Sequence, residues 1–284
     1  MKDLARQAPG LYNVYLRPKE DGRSRKVSEP LEPLKTLQSA ILKCVVAPLS
    51  TDRALRHVVH RNQVWNASTH VQQTHITKLD VRDAFPSVSD RAVESALRAS
   101  GLNREAAALV ARLCTHDGEL PQGAPSSNAL LDLVLLPLDR VINAYCRRKG
   151  YRYTRYADDL TLSGPEPLGL AERFVERQLK SENFFTNPEK TGRGGRKNPV
   201  VITGVMTGQT TKVRPRMLER TIAELKDAAE TPDVATGLDS LRGSLGWIRQ
   251  VNRKQAGAIV AQNVPKGTAL SSALTLRKRR RRRR

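Results

Sequence analysis

Residues 153–163 have the sequence YTRYADDLTLS, in which two adjacent acids interrupt a pattern that is typical of β-strands. Apolar and polar residues alternate on both sides of the adjacent acids Asp158 and Asp159, which predicts two half-buried strands that meet at a turn. Adjacent carboxylates repel one another, so this pair requires either water or a cation. A polar β-turn is the simpler interpretation, because Asp is common in turns.

A third acid favours a metal site over a simple turn. Asp80 ends the run HITKLD at residues 75–80, which predicts another strand. Carboxylates at strand ends and turns can converge at one edge of a sheet, where they repel strongly unless cations neutralise them. Mg²⁺ prefers oxygen ligands, and two such ions about 4 Å apart stabilise the attacking and leaving oxygens of a phosphoryl transfer. The pattern is therefore compatible with a site for Mg²⁺ ions, and a simple polar turn stays the alternative.

The charge balance indicates a polyanionic partner. Lys and Arg number 49 against 28 Asp and Glu, a formal charge of +21, and +13 remains without the eight cations of residues 277–284. Such a basic body is typical of nucleic-acid-binding proteins, although a merely basic globular protein is the alternative. The run at 277–284 is predicted to be disordered, and it either grips phosphates nonspecifically or is a neutral extension.

Other features narrow the cellular setting. Cys44, Cys114 and Cys146 lack the spacing of a disulfide framework or a zinc site, which suits a reducing compartment. The first ten residues lack the apolar core of a signal peptide, and the most apolar run contains Asp132, Pro137 and Asp139. We therefore expect a cytoplasmic protein that does not span a membrane.

The rest of the chain predicts an α+β fold with helices at its C-terminal end. Residues 11–30 suggest a basic hairpin that turns at Asp21-Gly22, and residues 46–74 are expected to be loop-rich. VVITGVM at 200–206 is expected to form one strand. Helical periodicity covers residues 34–45, 90–99, 104–114, 129–149, 170–180, 216–230 and 238–251. Asp90 is expected to be an N-cap, and Pro137 is expected to kink its helix. A short third helix is expected after the two at 216–230 and 238–251.

Four blocks in order give the chain a family resemblance. LDVRDAFPSV (79–88), LPQGAPSSN (120–128), YTRYADDLTLSG (153–164) and NPEKT followed by VITGV (187–191 and 201–205) resemble the catalytic blocks of reverse transcriptases. Asn66, Ala67 and His70 resemble the NAxxH element of the bacterial retron class, and Ile202–Gly204 is similar to its VTG element. Asn128 departs from the family pattern, which has proline there.

The resemblance implies a right-hand polymerase with fingers, a palm built on an antiparallel sheet, and a small helical thumb. It divides the chain into mainly fingers with the start of the palm (1–78), a palm with inserted fingers helices (79–210), a thumb (211–276) and the Arg-rich tail (277–284).

The same resemblance assigns the catalytic roles. Asp80, Asp158 and Asp159 would be the catalytic acids and, with the Val81 carbonyl, the ligands of the two Mg²⁺ ions. Asp159 would tune or orient the other ligands more than it binds metal. Lys190 aligns with a lysine proposed as general acid for pyrophosphate departure, although a Lys in a Gly-rich turn is often simply solvated.

Nucleotide-binding residues follow by the same alignment. Arg25 would cap the triphosphate, with Lys19 assisting, and the backbone of Asp83 and Ala84 would approach it. Phe85 would lie beneath the incoming sugar and exclude a 2′-hydroxyl, the alternative being an ordinary core residue. The loop at Gln122 and Gly123 would contact nucleotide and template, since glycine permits a close backbone approach.

RNA contacts are expected from the retron-specific elements and from the basic turn. Trp247 either stacks on a base or, at helical spacing with Leu241 and Ile248, packs in the core. The residues expected to bind RNA are Asn66, His70, Arg193, Arg196, Lys197, Thr203, Gly204 and Arg242.

The resemblance implies an enzyme that copies part of a cognate structured noncoding RNA into single-stranded DNA. Priming would come from an RNA 2′-hydroxyl, and the setting would be anti-phage defence. Its partners would be that RNA, the DNA product, dNTPs and a toxic effector protein, with higher-order assembly. Two alternatives stay open: another bacterial defence-type reverse transcriptase, or mainly a nucleoprotein scaffold that restrains the effector.

Overall fold

A computed structural model of the chain describes residues 2–18, 22, 24–49, 58–59, 62–230, 238–264, 267–268, 270–271 and 274. Lys19, Asp21 of the expected hairpin turn, and the basic run at 277–284 lie outside the described residues. The chain divides into two compact units, the first made of Met1–Arg61 with His75–Arg193 and the second of Asn62–Thr74 with Gly194–Arg284.

The described elements mix helices with antiparallel strands, as the sequence predicts. The helices are α1 (Lys2–Gln7), α2 (Leu34–Ile41), α3 (Ala47–Leu49), α4 (Gln63–Ser68), α5 (Asp90–Ala99), α6 (Arg104–Cys114), α7 (Ser127–Arg148), α8 (Gly169–Ser181), α9 (Pro215–Glu230), α10 (Leu238–Val251) and α11 (Arg253–Asn263). The strands are β1 (Tyr12–Pro18), β2 (Ser24–Pro30), β3 (His75–Asp80), β4 (Arg152–Tyr156), β5 (Asp159–Gly164), β6 (Gly192–Gly194), β7 (Val200–Ile202), β8 (Val205–Thr207) and β9 (Thr211–Val213).

A four-stranded sheet with the order β4-β5-β3-β6 is the centre of the first unit. Antiparallel pairing places β5 between β4 and β3, in a register that runs from His75 opposite Gly164 to Asp80 opposite Asp159. Leu79, Leu160 and Leu162 are almost fully buried in the core of this unit. Because a slip of one residue would turn these leucines to the other face, their burial fixes the register.

The long helix α7 supplies much of the same core. Leu130, Leu131 and Ile142 on this helix are fully buried, and the helix continues through Pro137. Gly150 follows its last turn with φ +71°, the left-handed conformation in which glycine ends helices without steric cost. The predicted C-terminal boundary at residue 149 is therefore correct within one residue.

Side-chain caps begin the two helices that follow β3. The Ser89 hydroxyl accepts a hydrogen bond from the Ala92 N–H at 3.1 Å, and Asn103 does the same for Ala106 at 2.9 Å. The N-cap of α5 is thus Ser89, and the expectation of Asp90 was wrong by one residue. Asp90 instead occupies the first turn, where a negative charge is favourable.

The second unit joins two distant segments of the chain. The Gln72 N–H donates to the Gly208 carbonyl at 2.8 Å, and the Arg196 N–H donates to the Gln73 carbonyl at 2.8 Å. The section expected to be loop-rich contains helix α4. Asn62 caps this helix, because its side chain accepts hydrogen bonds from the Val64 and Trp65 N–H groups. The stretch 200–206 is also not one strand: β7 and β8 pair across a turn at Thr203-Gly204 and form a three-stranded sheet with β9.

In the described parts of the chain, no helix combines the length and apolar character needed to cross a membrane. The expected division into fingers, palm, thumb and tail at residues 78, 210 and 276 stays a prediction.

Candidate active site

Strand pairing brings the three predicted catalytic acids to one end of the central sheet. Asp80 is the last residue of β3 and lies directly opposite Asp159, the first residue of β5. Asp158 belongs to the two-residue turn between β4 and β5, and its carbonyl accepts a hydrogen bond from the Val81 N–H at 3.0 Å. The three acids are therefore neighbours, although Asp80 is 78 positions from Asp158 in sequence.

The turn that carries Asp158 is conformationally unusual. Tyr156 pairs with Asp159, so Ala157 and Asp158 form a two-residue hairpin loop. Ala157 has φ +53°, in the left-handed region that side chains other than glycine rarely adopt. Residues held in such conformations often belong to functional sites, where surrounding contacts maintain them.

Two lysines, Lys78 and Lys190, partly neutralise these acids. We call the five side chains together the carboxylate cluster: Lys78, Asp80, Asp158, Asp159 and Lys190. Lys78 Nζ lies 2.9 Å from Asp159 Oδ1, and Lys190 Nζ lies 3.2 Å from Asp80 Oδ2. No described cation is within ion-pair distance of Asp158.

Burial and repulsion both favour a protonated Asp158. Burial is the largest cause that raises its pKa to about 6, followed by the charges of Asp159 and Asp80, while the Arg25 guanidinium opposes the rise. Burial also raises the pKa of Asp159, against the lowering influence of Lys78. A cation near these oxygens would relieve the repulsion, which is the property expected of a metal-binding set.

The donor chemistry of the cluster fits a hard divalent cation, because all three acids offer carboxylate oxygens and are mostly buried. Within the described ranges, however, no group of three His, Cys, Asp or Glu is already arranged to hold a metal ion. Two of the three carboxylates instead face lysines. Binding of Mg²⁺ would therefore require Lys78 and Lys190 to share or release their partners.

The β1–β2 hairpin and the loop at Gln122 and Gly123 meet in the first unit. The Ser28 N–H of β2 donates to the Gln122 carbonyl at 2.8 Å. Gly123 has φ +117°, and a Cβ there would lie 2.9 Å from Val27 Cγ1 and 3.2 Å from the Ser28 carbonyl oxygen. Only glycine fits this approach without a shift of the hairpin.

The other predicted nucleotide-binding residues follow β3 or lie on the hairpin. Asp83 is exposed with φ +43°, Ala84 is buried, and Phe85 is half-buried against the core. Arg25 is exposed on β2 and near enough to Asp158 to lower the pKa of that carboxyl. Arg25 therefore influences Asp158 electrostatically, while its nucleotide-binding role and those of Asp83, Ala84 and Phe85 stay predictions.

Residues predicted to bind RNA differ in accessibility. Within the second unit, Asn66, His70 and Thr203 are buried, and the Thr203 hydroxyl donates to the Gln63 carbonyl at 3.0 Å. The side-chain amide of Asn66 has no hydrogen-bond partner among the described residues. These three face the interior of the unit in this conformation, so they support its packing directly. Their RNA-binding role stays a prediction.

The basic candidates are on the surfaces of their own units. Arg196, Lys197 and the turn residue Gly204 are exposed, and Arg242 lies 3.4 Å from Asp239. Arg193 pairs with Glu172 at 2.7 Å in the first unit. Trp247 is half-buried on α10, beside buried Leu241 and Ile248, which favours the core interpretation.

A second charged group lies within the core of the first unit, and the sequence did not reveal it. Arg155 of β4 is 1% exposed, and its guanidinium bonds Asp139 and Asp132 of α7. The Tyr153 hydroxyl donates to Asp139 at 2.7 Å. We call Tyr153, Arg155, Asp132 and Asp139 the arginine cluster. The one available signal was that the two acids are seven residues apart, two helical turns on one face.

One protein-family model and several known proteins are similar to this chain in sequence. The family model described as reverse transcriptase (RNA-dependent DNA polymerase) matches residues 17–207. The retron Mx65 reverse transcriptase of Myxococcus xanthus is 34% identical over 278 residues, covering 90% of this chain and 65% of that protein. The retron Ec86 reverse transcriptase of Escherichia coli is 32% identical over 203 residues, 70% of this chain and 63% of that protein. The chain thus spans less than two thirds of the length of these relatives.

Solved structures confirm the predicted fold class. Telomerase from Candida albicans, in complex with a telomeric RNA fragment, aligns with a TM-score of 0.54 at 12% identity, covering 89% of this chain and 57% of that one. A foamy viral protease–reverse transcriptase in complex with double-stranded DNA gives 0.50 at 16% identity, covering 96% of this chain and 44% of that one. Likeness at such low identity concerns the right-hand polymerase fold alone.

Proposed function

Because this chain belongs to the reverse transcriptase family, as a retron-type member, we propose that it copies part of a structured RNA into single-stranded DNA. The observation that supports this most directly is the placement of Asp80, Asp158 and Asp159 at one end of the central sheet. A basic chain of +21 suits both the template and the product, since neutralised phosphates release counterions.

The proposed chemistry is nucleotidyl transfer with Mg²⁺. Asp80 and Asp158, with the Val81 carbonyl, would hold the ions, and Asp159 would orient the set while it pairs with Lys78. When bound, two Mg²⁺ ions would position the reacting oxygens and neutralise the charge that develops during an in-line phosphoryl transfer.

The residues around the carboxylates would bind and orient the nucleotide. Arg25 would bind the triphosphate, and the backbone of Asp83 and Ala84 would approach it. Gln122 and Gly123 would support the template beside the hairpin that they contact. Lys190, which lies 3.2 Å from Asp80, would donate a proton to the departing pyrophosphate.

Phe85 would select deoxynucleotides by filling the space that a 2′-hydroxyl needs. Its half-buried ring packs against the core, so its position is restrained. Incorporation of ribonucleotides and deoxynucleotides by Phe85→Ala measures this role, and unchanged sugar discrimination would exclude it.

The retron-specific parts of the proposal concern the RNA and the biological setting. We infer priming from an RNA 2′-hydroxyl, a defence role in the cytoplasm, and association with an effector protein in a larger assembly. Exposed Arg196, Lys197 and Gly204 would contact RNA, whose duplexes proteins recognise largely by shape and backbone. Support for these parts comes from the relatives' identity as retron enzymes.

One experiment tests the catalytic proposal. The protein is expressed with its flanking DNA, purified, and examined for RNA-linked single-stranded DNA and for Mg²⁺-dependent DNA synthesis. We expect both in the native protein and neither in the double variant Asp158→Asn, Asp159→Asn. The variant Asp90→Asn, at an exposed residue in the first turn of α5, serves as a matched control and retains both. Full synthesis by the double variant would refute the assignment.

The same variant separates an enzyme from a scaffold. If the protein acts mainly by holding RNA, the double variant still restrains its effector without making DNA. If DNA synthesis is required, restraint is lost together with the product.

A further inference from the structure

Arg155 connects helix α7 to the turn that carries Asp158. Its Nε and Nη2 atoms donate to Asp139, the shortest contact being 2.7 Å, and Nη1 donates to Asp132 Oδ1 at 2.7 Å. The same Nη1 also donates to the Ala157 carbonyl at 2.9 Å. One rigid guanidinium thus bonds two helix side chains and the backbone of the hairpin turn.

The turn at Ala157 and Asp158 has an unfavourable backbone conformation, which surrounding contacts must maintain. Ala157 is held at φ +53°, where its Cβ is disfavoured, and Asp158 follows directly. The Asp158 carbonyl is in turn bonded by the Val81 amide, which adjoins Asp80. A change at the Ala157 carbonyl would therefore reach both strands that present the acids.

We propose that Arg155 is a positioning residue for catalysis: by fixing the Ala157 carbonyl against α7, it holds Asp158 in register with Asp80. The inference rests on the proposed polymerase function. Lysine cannot replace the arginine, because a single ammonium lacks the planar fork that bonds Asp139 side-on while it reaches Asp132 and Ala157.

The first test replaces Arg155 with lysine, which retains the charge that Asp132 and Asp139 require. Displacement of a catalytic group by about 1 Å can reduce rates roughly 100-fold, so we expect kcat for DNA synthesis to fall by about 10- to 100-fold. The KM for dNTP should stay within about twofold, since the nucleotide-binding residues do not contact Arg155. Unchanged kcat in folded Arg155→Lys would overturn the proposal.

A second readout does not depend on polymerase activity. The Val81 amide donates to the Asp158 carbonyl, so its hydrogen exchange reports the backbone position of the turn. We expect Arg155→Lys to accelerate exchange at Val81 more than at buried Leu162, at the centre of β5. If the native protein makes no DNA, the proposed function fails while this measurement still judges the role of Arg155.

Tyr153→Phe is the matched control for loss of stability. It removes the hydroxyl that bonds Asp139 in the same buried cluster, but leaves the bond from Arg155 to Ala157. We expect a lower melting temperature with native kcat and native Val81 exchange. A kcat loss in Tyr153→Phe equal to that of Arg155→Lys would mean that Arg155 acts only through stability and would refute positioning.

Asp132→Asn tests the proposal even if Arg155→Lys fails to fold. An amide oxygen at this site can still accept from Nη1, but without charge, so the guanidinium is held less firmly near Ala157. We expect a smaller decrease in kcat, about threefold to tenfold, together with faster Val81 exchange. Native values of both quantities would contradict the proposal.

Discussion

The carboxylate cluster and the arginine cluster have the same formal charge but opposite character. Three acids and two lysines form the first, and two acids, one arginine and the neutral Tyr153 form the second, so each sums to −1 when the acids and cations are ionised. In the arginine cluster, Asp139 is fully buried and satisfied by Arg155 and Tyr153. In the carboxylate cluster, Asp158 has no ion-pair partner in the described chain, and its pKa rises to about 6.

In the first cluster, the protein neutralises the carboxylates only in part, whereas in the second cluster the buried charges are paired with one another. Unsatisfied charge at the end of a sheet lowers stability but can bind a cation, whereas buried charge must be satisfied by the protein itself. Substitutions in the first cluster should therefore affect mainly activity. Substitutions in the second cluster should lower stability, and they should affect activity only where they disturb the bond from Arg155 to the Ala157 carbonyl.

Asp158→Asn should produce the largest effect and should separate the two quantities. Loss of a metal ligand is expected to reduce DNA synthesis by at least about 10⁴-fold, which corresponds to several kcal/mol of transition-state stabilisation. Removal of the buried, repelled charge should raise the free energy of unfolding at pH 7 by about 1–2 kcal/mol. Primer extension and urea denaturation measure these changes, and a loss of stability would contradict the electrostatic account.

Asp139→Ala should act mainly on stability. It leaves the buried guanidinium of Arg155 with one acid fewer and the Tyr153 hydroxyl without its acceptor. Breaking a buried pair in this way typically costs about 3–5 kcal/mol of unfolding free energy.

Replacement of both partners provides the control for that change. The double variant Asp139→Leu, Arg155→Met removes both charges, so we expect it to recover much of the lost stability. If the single and double variants are equally unstable, unpaired charge is not the cause.

The titration of Asp158 predicts a pH effect of intermediate size in metal-free protein. Its pKa is about 6 in the folded state and 3.8 in the unfolded reference, so the folded state binds this proton more tightly. The resulting stabilisation is fully present below about pH 4 and is lost as the pH rises through 6, a change on the order of 2 kcal/mol. Urea denaturation in EDTA at pH 4.5 and 7.5 should show this difference between native protein and Asp158→Asn.

Lys78→Met should have the smallest effect in this comparison. The Lys78–Asp159 pair is about one-fifth exposed on each side, so its loss should lower the free energy of unfolding by about 1 kcal/mol in metal-free protein. Added Mg²⁺ should remove most of this deficit if the ion takes over neutralisation of Asp159. Without Asp159, as in the Asp159→Asn background, Lys78→Met should have almost no effect.

The three acids of the carboxylate cluster were predictable from sequence because the strands that carry them have local signals, whereas the pairing of Lys78 with Asp159 was not predicted. Alternating residues around Asp158 and the apolar run before Asp80 indicate three strands, and burial of Leu79 and Leu160 favours the observed register of β3 against β5. Family resemblance then supplied the pairing of distant blocks. The solved polymerase structures confirm the fold that these patterns imply.

The arginine cluster was not predictable in the same way. The sequence shows Arg155 between Thr154 and Tyr156 in a strand, but not that α7 places two acids beside it. The sequence presented Asp132 and Asp139 only as polar residues in an apolar helix. Their bonds to Arg155 depend on how α7 packs against β4, and the periodicity of a single element cannot show this packing.

Short elements were missed for a related reason. Helix α4 has six residues, fewer than the 11–18 over which helical periodicity can be recognised. Strands β7 and β8 were merged because Thr203, a β-branched residue, adopts φ +46° in the turn between them. Such a conformation is rare enough that the sequence favours a continuous strand.

The discontinuous second unit has a consequence for synthesis on the ribosome. Segment Asn62–Thr74 emerges about 120 residues before Gly194, where the rest of its unit begins. At translation rates of about 5–20 residues per second, the segment waits roughly 6–24 s for its partners. During that interval the apolar side of α4 and the Gln72 and Gln73 backbone have nothing of their own unit to pair with. A nascent chain that pauses before residue 194 is therefore the form most exposed to chaperones and proteases.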